Sequence, residues 1–431
     1  MAANTPMAPR ANPPVPQPGE ASVVRQGWLP ERFTRGFQAL DVRNYRLFWI
    51  GQLISLTGTW MQTTAQAWLV IQLTKSPFAL GLVTTLQFLP IMLLSLVGGV
   101  ITDRMPKHRL LTVTQTLALI QAAIFGTLVA LGVIQLWHIY LLALIQGTIN
   151  AIDNPSRQAF VPELVGREYL VNAVALNSML FNGARIIGPA VAGVVIARIG
   201  IAPTLFLNAL SFVAVIAGLL MMDPSQFFAG PRQAAGPVRQ RLVEGLSYVW
   251  RTPAVLLIML VVAAVGTFGY NFSVVLPLLA GFVLHTDATG FGSLSAFLGV
   301  GSLVAALATA YARQVTLRRL LIGSACFSIL LGIVAFSTNF LLSAALLVAL
   351  GFSGIIFTTT ANTLLQLTVP DVLRGRVMSL YILLFAGSTP IGGFLIGTLS
   401  NIIGVSWTLF VCAVLCVVGV LGAVVYRWRS A

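Results

Sequence analysis

Charged residues are scarce in this chain: Asp, Glu, Lys and Arg together make up only 8% of its 431 residues. A soluble globular domain usually contains about 25%, so this composition excludes an ordinary water-soluble protein. Cysteine and histidine are also rare, with three residues of each. The cysteines lie inside apolar segments and the histidines are far apart, so no disulfide framework and no metal-ligand spacing can be built from them. We therefore expect no metal and no cofactor.

Long apolar segments dominate the sequence instead. Hydrophobic residues make up 57% of the chain, and twelve segments are each long enough to cross about 30 Å of hydrocarbon. The segments are continuously apolar rather than alternating, which favours helices over a β-barrel. The sequence therefore predicts an all-α polytopic membrane protein with twelve transmembrane helices, near residues 48–71, 78–101, 110–134, 137–160, 170–198, 203–222, 254–284, 289–311, 317–337, 340–365, 376–399 and 404–426.

The basic residues predict the orientation of these helices. If both termini lie on one side of the membrane, 22 of the 25 Lys and Arg residues fall in the tails and loops of that side. Cytoplasmic loops of membrane proteins carry such an excess, so we predict a multi-pass protein of the cell membrane with both termini in the cytoplasm. The net charge of +14 is then a signal of topology. We expect the lipid bilayer as a partner and no nucleic acid.

The two halves of the chain resemble each other. NPSRQAFVP at 154–162 matches NTLLQLTVP at 362–370, and GARIIGPAVAG at 183–193 matches GSTPIGGFLIG at 387–397. The two matches occur in the same order and at nearly the same offset, which indicates two homologous halves. We therefore predict two pseudo-symmetric six-helix bundles.

This repeat sets the predicted domain boundaries. The Pro-rich first segment is expected to be a disordered cytoplasmic tail, and its end, residues 31–47, could be either a basic interfacial helix or a solvated linker. The linker between the bundles ends in a short amphipathic helix. The predicted segments are the tail 1–47, the bundle 48–222, the cytoplasmic linker 223–253, the bundle 254–426 and the cytoplasmic tail 427–431.

Polar residues recur on one face of several predicted helices. Single polar residues in membrane helices often form interhelical hydrogen bonds, but a Gln-rich stripe along the first helix favours a water-filled cavity between the halves. We predict ten residues that line this substrate cavity: Gln62, Gln66, Gln146, Asn150, Asn182, Arg185, Tyr270, Asn271, Thr358 and Asn362.

Arg185 is the deepest charge in the chain, about fifteen residues from either end of its span. A charge at that depth costs at least roughly 2.5–3.5 kcal/mol unless it faces a cavity or a partner, and no acidic residue is near it in the sequence. Contact with a substrate anion or a role in coupling would explain it. Asp153 and Arg157 lie nearer the cytoplasmic end, four residues apart, where the pair could be structural or functional.

The twelve spans, the two halves, the cytoplasmic termini and the central linker resemble the major facilitator superfamily. GVITDRMPKHR at 99–109 resembles its loop motif, with Pro106 where a Gly is usual. The resemblance implies a latch that stabilises the outward-facing state, in which the loop Asp caps an adjacent helix and an Asp of the fourth helix joins through Lys107 or Arg104. The latch residues that it implies are Gly99, Asp103, Arg104, Lys107, Arg109, Asp153 and Arg157.

Further motifs narrow the resemblance to one branch. NYRLFWIGQLISLTGTWMQTTAQAWLV and DNPSRQAFVPELV look similar to enterobactin exporters and macrolide-efflux-like carriers. GARIIGPAVAG resembles the antiporter motif of the fifth helix, which implies helix packing by Gly183, Gly188, Pro189 and Gly193. The family's fourth-helix pattern Arg-x-x-Gln-Gly, credited with proton handling, appears here as ALIQG with Ala143 in the place of Arg. The resemblance therefore supports export but does not supply a coupling residue.

We expect a secondary active transporter, functional as a monomer, that exports amphipathic small molecules of drug, macrolide or siderophore type. Proton antiport with alternating access of the two halves is the expected mechanism. The alternative is a metabolite importer or a potential-driven uniporter of the same fold. The latch motif argues against a receptor or scaffold. The spans also lack the nucleophile–base pair or metal cluster that an enzyme would need.

Overall fold

The structure is a computed structural model that describes residues 36–228, 238–310 and 315–430. Twelve long helices follow one another through these ranges, with short connections except for a longer linker between the sixth and the seventh. Their bounds are α1 (Arg43–Thr74), α2 (Pro77–Arg104), α3 (Lys107–Ala130), α4 (Leu136–Val165), α5 (Leu170–Ile199), α6 (Ile201–Leu220), α7 (Pro253–Val283), α8 (Ala288–Ala310), α9 (Leu317–Val334), α10 (Phe340–Thr368), α11 (Asp371–Ile403) and α12 (Val405–Ser430).

Ten of these helices are long and apolar enough to cross a membrane by length and composition alone. The other two are α1 and α4, which have 32 and 30 residues. They contain the Gln and Asn residues of the predicted stripes, and these residues lower their mean hydropathy. The predicted class, an all-α polytopic membrane protein, is confirmed.

Two helices differ from the sequence prediction. The first helix begins at Arg43, after a 3₁₀ turn at Gln38–Asp41, so the end of the proposed interfacial helix over 31–47 belongs to α1 itself. Residues 31–35 and the rest of the predicted tail lie outside the described residues. The seventh helix is interrupted at residues 269–271, ahead of Pro277, and the Asn271 side chain donates a hydrogen bond of 2.7 Å to the Thr267 carbonyl there.

The linker between the bundles contains a helix at Val238–Arg251, within the predicted segment; residues 229–237 lie outside the described ranges. We call it the linker helix. Glu244 on this helix forms an ion pair with Arg376 of α11, and a Cβ at Gly245 would lie 3.3 Å from the Arg376 Cβ. The linker helix is therefore attached to the second bundle.

The two bundles are related by a shift of six helices. In the first bundle α1 packs against α5 and α6, α2 against α4, and α3 against α4 and α6. In the second bundle α7 packs against α11 and α12, α8 against α10, and α9 against α10 and α12. The contacts between the bundles obey the same symmetry, because α2 packs on α11 and α5 packs on α8. The two halves of the internal repeat thus form two bundles that are related by pseudo-two-fold symmetry.

We name the two ends of the bundles by the predicted topology: the cytoplasmic end holds the start of α1 and the linker helix, and the outer end is opposite. Near the outer end the bundles touch closely, as in the hydrogen bond of 3.0 Å from the Thr85 hydroxyl to the Pro390 carbonyl. Towards the cytoplasmic end the same four interface helices expose apolar side chains, among them Leu93, Val97, Val174, Leu303 and Ile382. The hydrogen bond and the shortest backbone distances between the bundles thus lie towards the outer end.

Candidate transport cavity and its gates

Glycine pairs bring the two bundles into backbone contact at the outer end. A Cβ on Gly81 of α2 would lie 2.5 Å from the Gly393 carbonyl oxygen and 2.7 Å from the Gly397 Cα, both in α11. Real Cβ atoms essentially never come within 3.0 Å of heavy atoms of other residues that are not their chain neighbours. Small residues allow membrane helices to approach this closely, so Gly81 and Gly397 permit the closed outer gate.

The symmetry-related contact uses the predicted packing motif of α5. A Cβ on Gly193 would lie 2.7 Å from the Ala288 carbonyl oxygen of α8, and one on Gly188 would lie 2.5 Å from the Trp60 Cβ of α1. The Pro189 carbonyl lies at Gly292 of α8. Gly183 has nothing within 4 Å of its added Cβ, so it makes no such contact here and its packing role stays a prediction.

A small cavity of about 90 Å³ lies between the bundles. It is lined by α1, α5, α7 and α8, with Trp60, Thr63, Arg185, Tyr270, Ser273 and Phe291 among the lining residues. The lining combines aromatic surface with a few hydroxyl groups and one cation. Such a mixture suits molecules that are largely apolar but have some polar groups.

Arg185 lies between two aromatic rings from different bundles. Its guanidinium carbon is 5.8 Å from the centre of the Trp60 ring on α1 and 5.9 Å from the centre of the Tyr270 ring on α7. Both distances are in the range of cation–π attraction. The predicted need for a partner is therefore met by aromatic faces, and the charge remains available to a bound anion.

The Tyr270 ring is held in place by other rings of the second bundle. Its centroid lies 5.0 Å from that of Phe385 on α11 and 5.8 Å from that of Phe327 on α9. Packed aromatic rings of this kind fix one another's orientation. A movement of the second bundle would therefore move Tyr270 relative to Arg185.

Three of the predicted cavity residues form hydrogen bonds inside a bundle in this structure, and their role in the cavity stays a prediction. Gln62 is buried, donates to Gln121 of α3 at 3.1 Å and accepts from Asn208 of α6 at 2.7 Å. Gln66 is buried and donates to Gln87 of α2 at 3.3 Å. Asn271 is buried and binds carbonyls of its own helix. An amide can satisfy two neighbours at once, which makes it effective in interhelical bonding.

Five other predicted cavity residues lie outside the part of the cavity described above. The Gln146 amide donates to Asn150 at 3.1 Å, Asn182 donates to the Ser178 carbonyl at 2.8 Å, and Thr358 donates to the Gly354 carbonyl at 3.1 Å. Asn362 accepts from Gln366. Except for Gln146, which is buried, they are partly exposed. Their role in substrate contact stays a prediction.

Two aromatic residues of the cavity, Trp60 and Phe291, were not predicted. The stripe on the first helix was defined by polar residues alone, although Trp60 lies next to that face. The unpaired charge of Arg185 was the available signal, because an arginine without an acid in a membrane can be satisfied by aromatic faces.

A second charged site lies in the first bundle, nearer the cytoplasmic end. Asp153 of α4 is 2% exposed, and its Oδ1 accepts hydrogen bonds from Thr114 at 2.7 Å and Gln115 at 2.8 Å, both in α3. Its Oδ2 accepts from Arg157 Nε at 3.0 Å and forms an ion pair with the same guanidinium. The pair is thus both an i,i+4 bridge and a link between α3 and α4.

The loop motif does not form the implied latch in this structure. Lys107 pairs with Glu163 of α4 at 3.0 Å rather than with Asp153. Asp103, Arg104 and Arg109 are exposed and Gly99 contacts nothing within 4 Å of an added Cβ. Within the described ranges Asp103 has no hydrogen bond, and the next helix has no side-chain cap. The resemblance assigns the latch to the outward-facing state, so the latch role of these residues stays a prediction.

The fold and the central cavity define a transporter of the major facilitator class. The chain belongs to the family described as "Transmembrane secretion effector", whose sequence profile it matches over residues 34–430. A solved structure of similar fold is the bacterial homolog of the human lysosomal transporter Spinster in an inward-facing, unoccupied conformation, with a TM-score of 0.70 at 12% identity; the match covers 89% of this chain and 97% of that one.

Three relatives share about a quarter of their residues with this chain over most of their length. The staphyloferrin A transporter of Staphylococcus aureus is 27% identical, covering 84% of this chain and 90% of the relative. The multidrug efflux pump Tap of Mycolicibacterium fortuitum is 26% identical, covering 86% and 93%. The enterobactin exporter EntS of Citrobacter koseri is 26% identical, covering 82% and 85%. The predicted branch of the superfamily is confirmed.

Proposed function

We propose that this protein exports amphipathic small molecules from the cytoplasm in exchange for protons, by alternating access of its two bundles. The observation that carries the proposal is the cavity between the bundles around Arg185, Trp60 and Tyr270, together with the glycine contacts that join the bundles at the outer end. A molecule entering from the cytoplasm would meet aromatic surface and one unpaired cation. The names of the relatives, which include an efflux pump and a siderophore exporter, support the outward direction.

Arg185 favours substrates with an acidic group next to an apolar or aromatic body. An anion at its guanidinium would form a charge-assisted hydrogen bond, while the flanking rings would cover the rest of the molecule. A siderophore or an acidic drug has this combination. A compact sugar has too little apolar surface to profit from the aromatic walls.

We assign the proton to Asp153. It is the carboxylate furthest from a helix end among the described spans, and its four donors come from α3 and α4. Protonation would remove the charge that Arg157 neutralises and would weaken the link to Thr114 and Gln115. Proton binding would thereby change the contact of α3 with α4, which is the kind of local event that can bias a two-state transporter.

The proposal is tested in everted membrane vesicles with an acidic lumen. A panel of macrolides, lipophilic dyes and catecholate siderophores is added while luminal pH and substrate uptake are recorded. We expect a transported compound to accumulate in the lumen and to raise luminal pH at the same time. Accumulation driven by the membrane potential without a pH change would contradict antiport, and net loss of a preloaded compound to the medium would point to import.

Arg185 should set the preference for anions. We expect Arg185→Gln to raise the apparent KM of an acidic substrate about tenfold, equivalent to about 1.4 kcal/mol, and to change the KM of a neutral substrate of similar size far less. Arg185→Lys keeps the charge but not the planar guanidinium, so it should retain part of the preference. Transport assays with an acidic compound and its methyl ester would measure this, and equal losses for both compounds would rule the assignment out.

A further inference from the structure

A lateral groove lies on the second bundle, away from the central cavity. Helices α8 and α9 both pack on α10 and leave between them a groove of about 750 Å³. This volume is in the range of small-molecule pockets, roughly 300–1,000 Å³. Its walls are almost wholly apolar and include Val304, Ile322, Cys326, Leu330, Val348 and Phe352. Small residues deepen it, among them Gly301, Gly323 and Ala349.

The groove is open to the side, where a spanning bundle meets the bilayer. Val304 is 50% exposed and Ile322 is 53% exposed, and the Cys326 side chain is also exposed. An apolar groove facing hydrocarbon does not remain empty in a membrane, because dispersion contacts would be lost on its walls. A lipid acyl chain is the apolar partner that is always present there.

Two arginines stand at the cytoplasmic mouth of the groove. Arg318 and Arg319 open α9 and belong to the groove lining. The Arg319 guanidinium donates a hydrogen bond of 3.2 Å to the Thr309 hydroxyl of α8, so it connects α9 to α8 at the cytoplasmic end of the groove. Arg318 is exposed and forms no ion pair within the described ranges, and the described lining residues include no acid. The helix N-terminus adds partial positive charge at the same place.

The length of the groove matches one leaflet. From Arg319 to Leu330 the helix advances about 17 Å at 1.5 Å per residue, a little more than half of the roughly 30 Å hydrocarbon core. A headgroup at the arginines would therefore place its acyl chain along the groove as far as the middle of the bilayer. Basic pockets between helices at the cytoplasmic side are typical binding places of anionic headgroups.

We propose that this groove is a binding site for an anionic phospholipid of the cytoplasmic leaflet. The phosphate lies at Arg318 and Arg319, and one acyl chain fills the space between α8 and α9 on α10. Because α8 also forms the outer contact with α5, a lipid held here touches a helix that takes part in gating. The site is separate from the central cavity and does not depend on the transported substrate.

The test uses the purified full chain in detergent and native mass spectrometry. Phosphatidylglycerol and phosphatidylcholine with identical acyl chains are added in turn, and bound lipid is counted. We expect phosphatidylglycerol to be retained at about tenfold lower concentration, corresponding to about 1.4 kcal/mol. The double variant Arg318→Gln/Arg319→Gln should lose this preference. Arg251→Gln, which changes an exposed arginine at the end of the linker helix, outside the groove, should keep it.

A second measurement locates the lipid. Phosphatidylglycerol with a photoreactive group in its acyl chain should label peptides that contain Cys326 or Val348, and Ala349→Trp, which fills the groove, should reduce that labelling. If Ala349→Trp does not fold, the positions of the labelled peptides in the wild type still show whether the lipid binds in the groove. Equal retention of both lipids, a preference that survives in the double variant, or labelling confined to other helices would each overturn the proposal.

Discussion

Replacement of Gly81 by leucine is expected to reduce transport strongly while leaving the protein folded. The new side chain would have to occupy space that the α11 backbone fills, since even a Cβ would lie 2.5 Å from the Gly393 carbonyl oxygen. Backbone cannot move aside as a flexible side chain can, so the outer ends of α2 and α11 must separate. The outer gate then fails to close, and a transporter that cannot populate one of its two states cannot complete a cycle.

Transport and distance measurements together test this prediction. In a chain whose three native cysteines are replaced by alanine, spin labels at Leu73 and Ile402, both exposed at outer helix ends, should move apart in the Gly81→Leu variant. Uptake into vesicles should fall by about tenfold or more, because a shift of about 1.4 kcal/mol against the closed state already changes its population tenfold.

A matched variant separates gating from a general effect of leucine in a helix. Gly422 of α12 is exposed and has nothing within 4 Å of an added Cβ. Gly422→Leu introduces the same side chain into another spanning helix and should transport like the wild type. Unchanged transport by Gly81→Leu, with unchanged label distances, would show that this contact is not a gate.

The sequence repeat is reflected in these contacts. Gly193 and Gly397 are matched in the two copies of the repeat, and in the structure they occupy equivalent contacts, one at α8 and the other at α2. Such contacts need small residues at a fixed spacing in both halves, and this spacing can be read from the amino-acid sequence. The helices could be predicted because the length of an apolar segment is a property of the local sequence. The two bundles could be predicted because the repeat is also present in the sequence.

The residues that line the cavity could be predicted only in part, because a side chain faces the cavity only if no neighbouring helix packs against it. Gln62 and Arg185 both looked like cavity residues, yet Gln62 finds amides on α3 and α6 whereas Arg185 finds rings from two bundles. Spacing along one helix places a residue on a face but does not say what packs against that face. Lys107 pairs with Glu163 here, and the pairing with Asp153 that the resemblance implies stays a prediction.

The second large effect concerns Asp153 and Arg157. We expect each single variant, Asp153→Asn or Arg157→Gln, to be strongly impaired, because removing one partner leaves the other poorly compensated in a buried place. Breaking a buried ion pair in this way costs about 3–5 kcal/mol, which would lower the apparent melting temperature by on the order of 5–10 °C. Thermal unfolding of the purified proteins, followed by loss of monodispersity, measures this.

The double variant Asp153→Asn/Arg157→Gln distinguishes a structural pair from a coupling site. With both charges removed, the two amides can bond to each other and to Thr114 and Gln115, so most of the lost thermal stability should return.

If Asp153 is the proton acceptor, the stable double variant should still carry substrate down a gradient but should not accumulate it against one at any imposed pH difference. Restored uphill transport would show instead that the pair only joins α3 to α4 and that the proton binds elsewhere. Stability unchanged in both single variants would exclude the structural role as well. Downhill flux, uphill flux and melting temperature of the same four proteins therefore assign the pair, because each role predicts a different combination of the three.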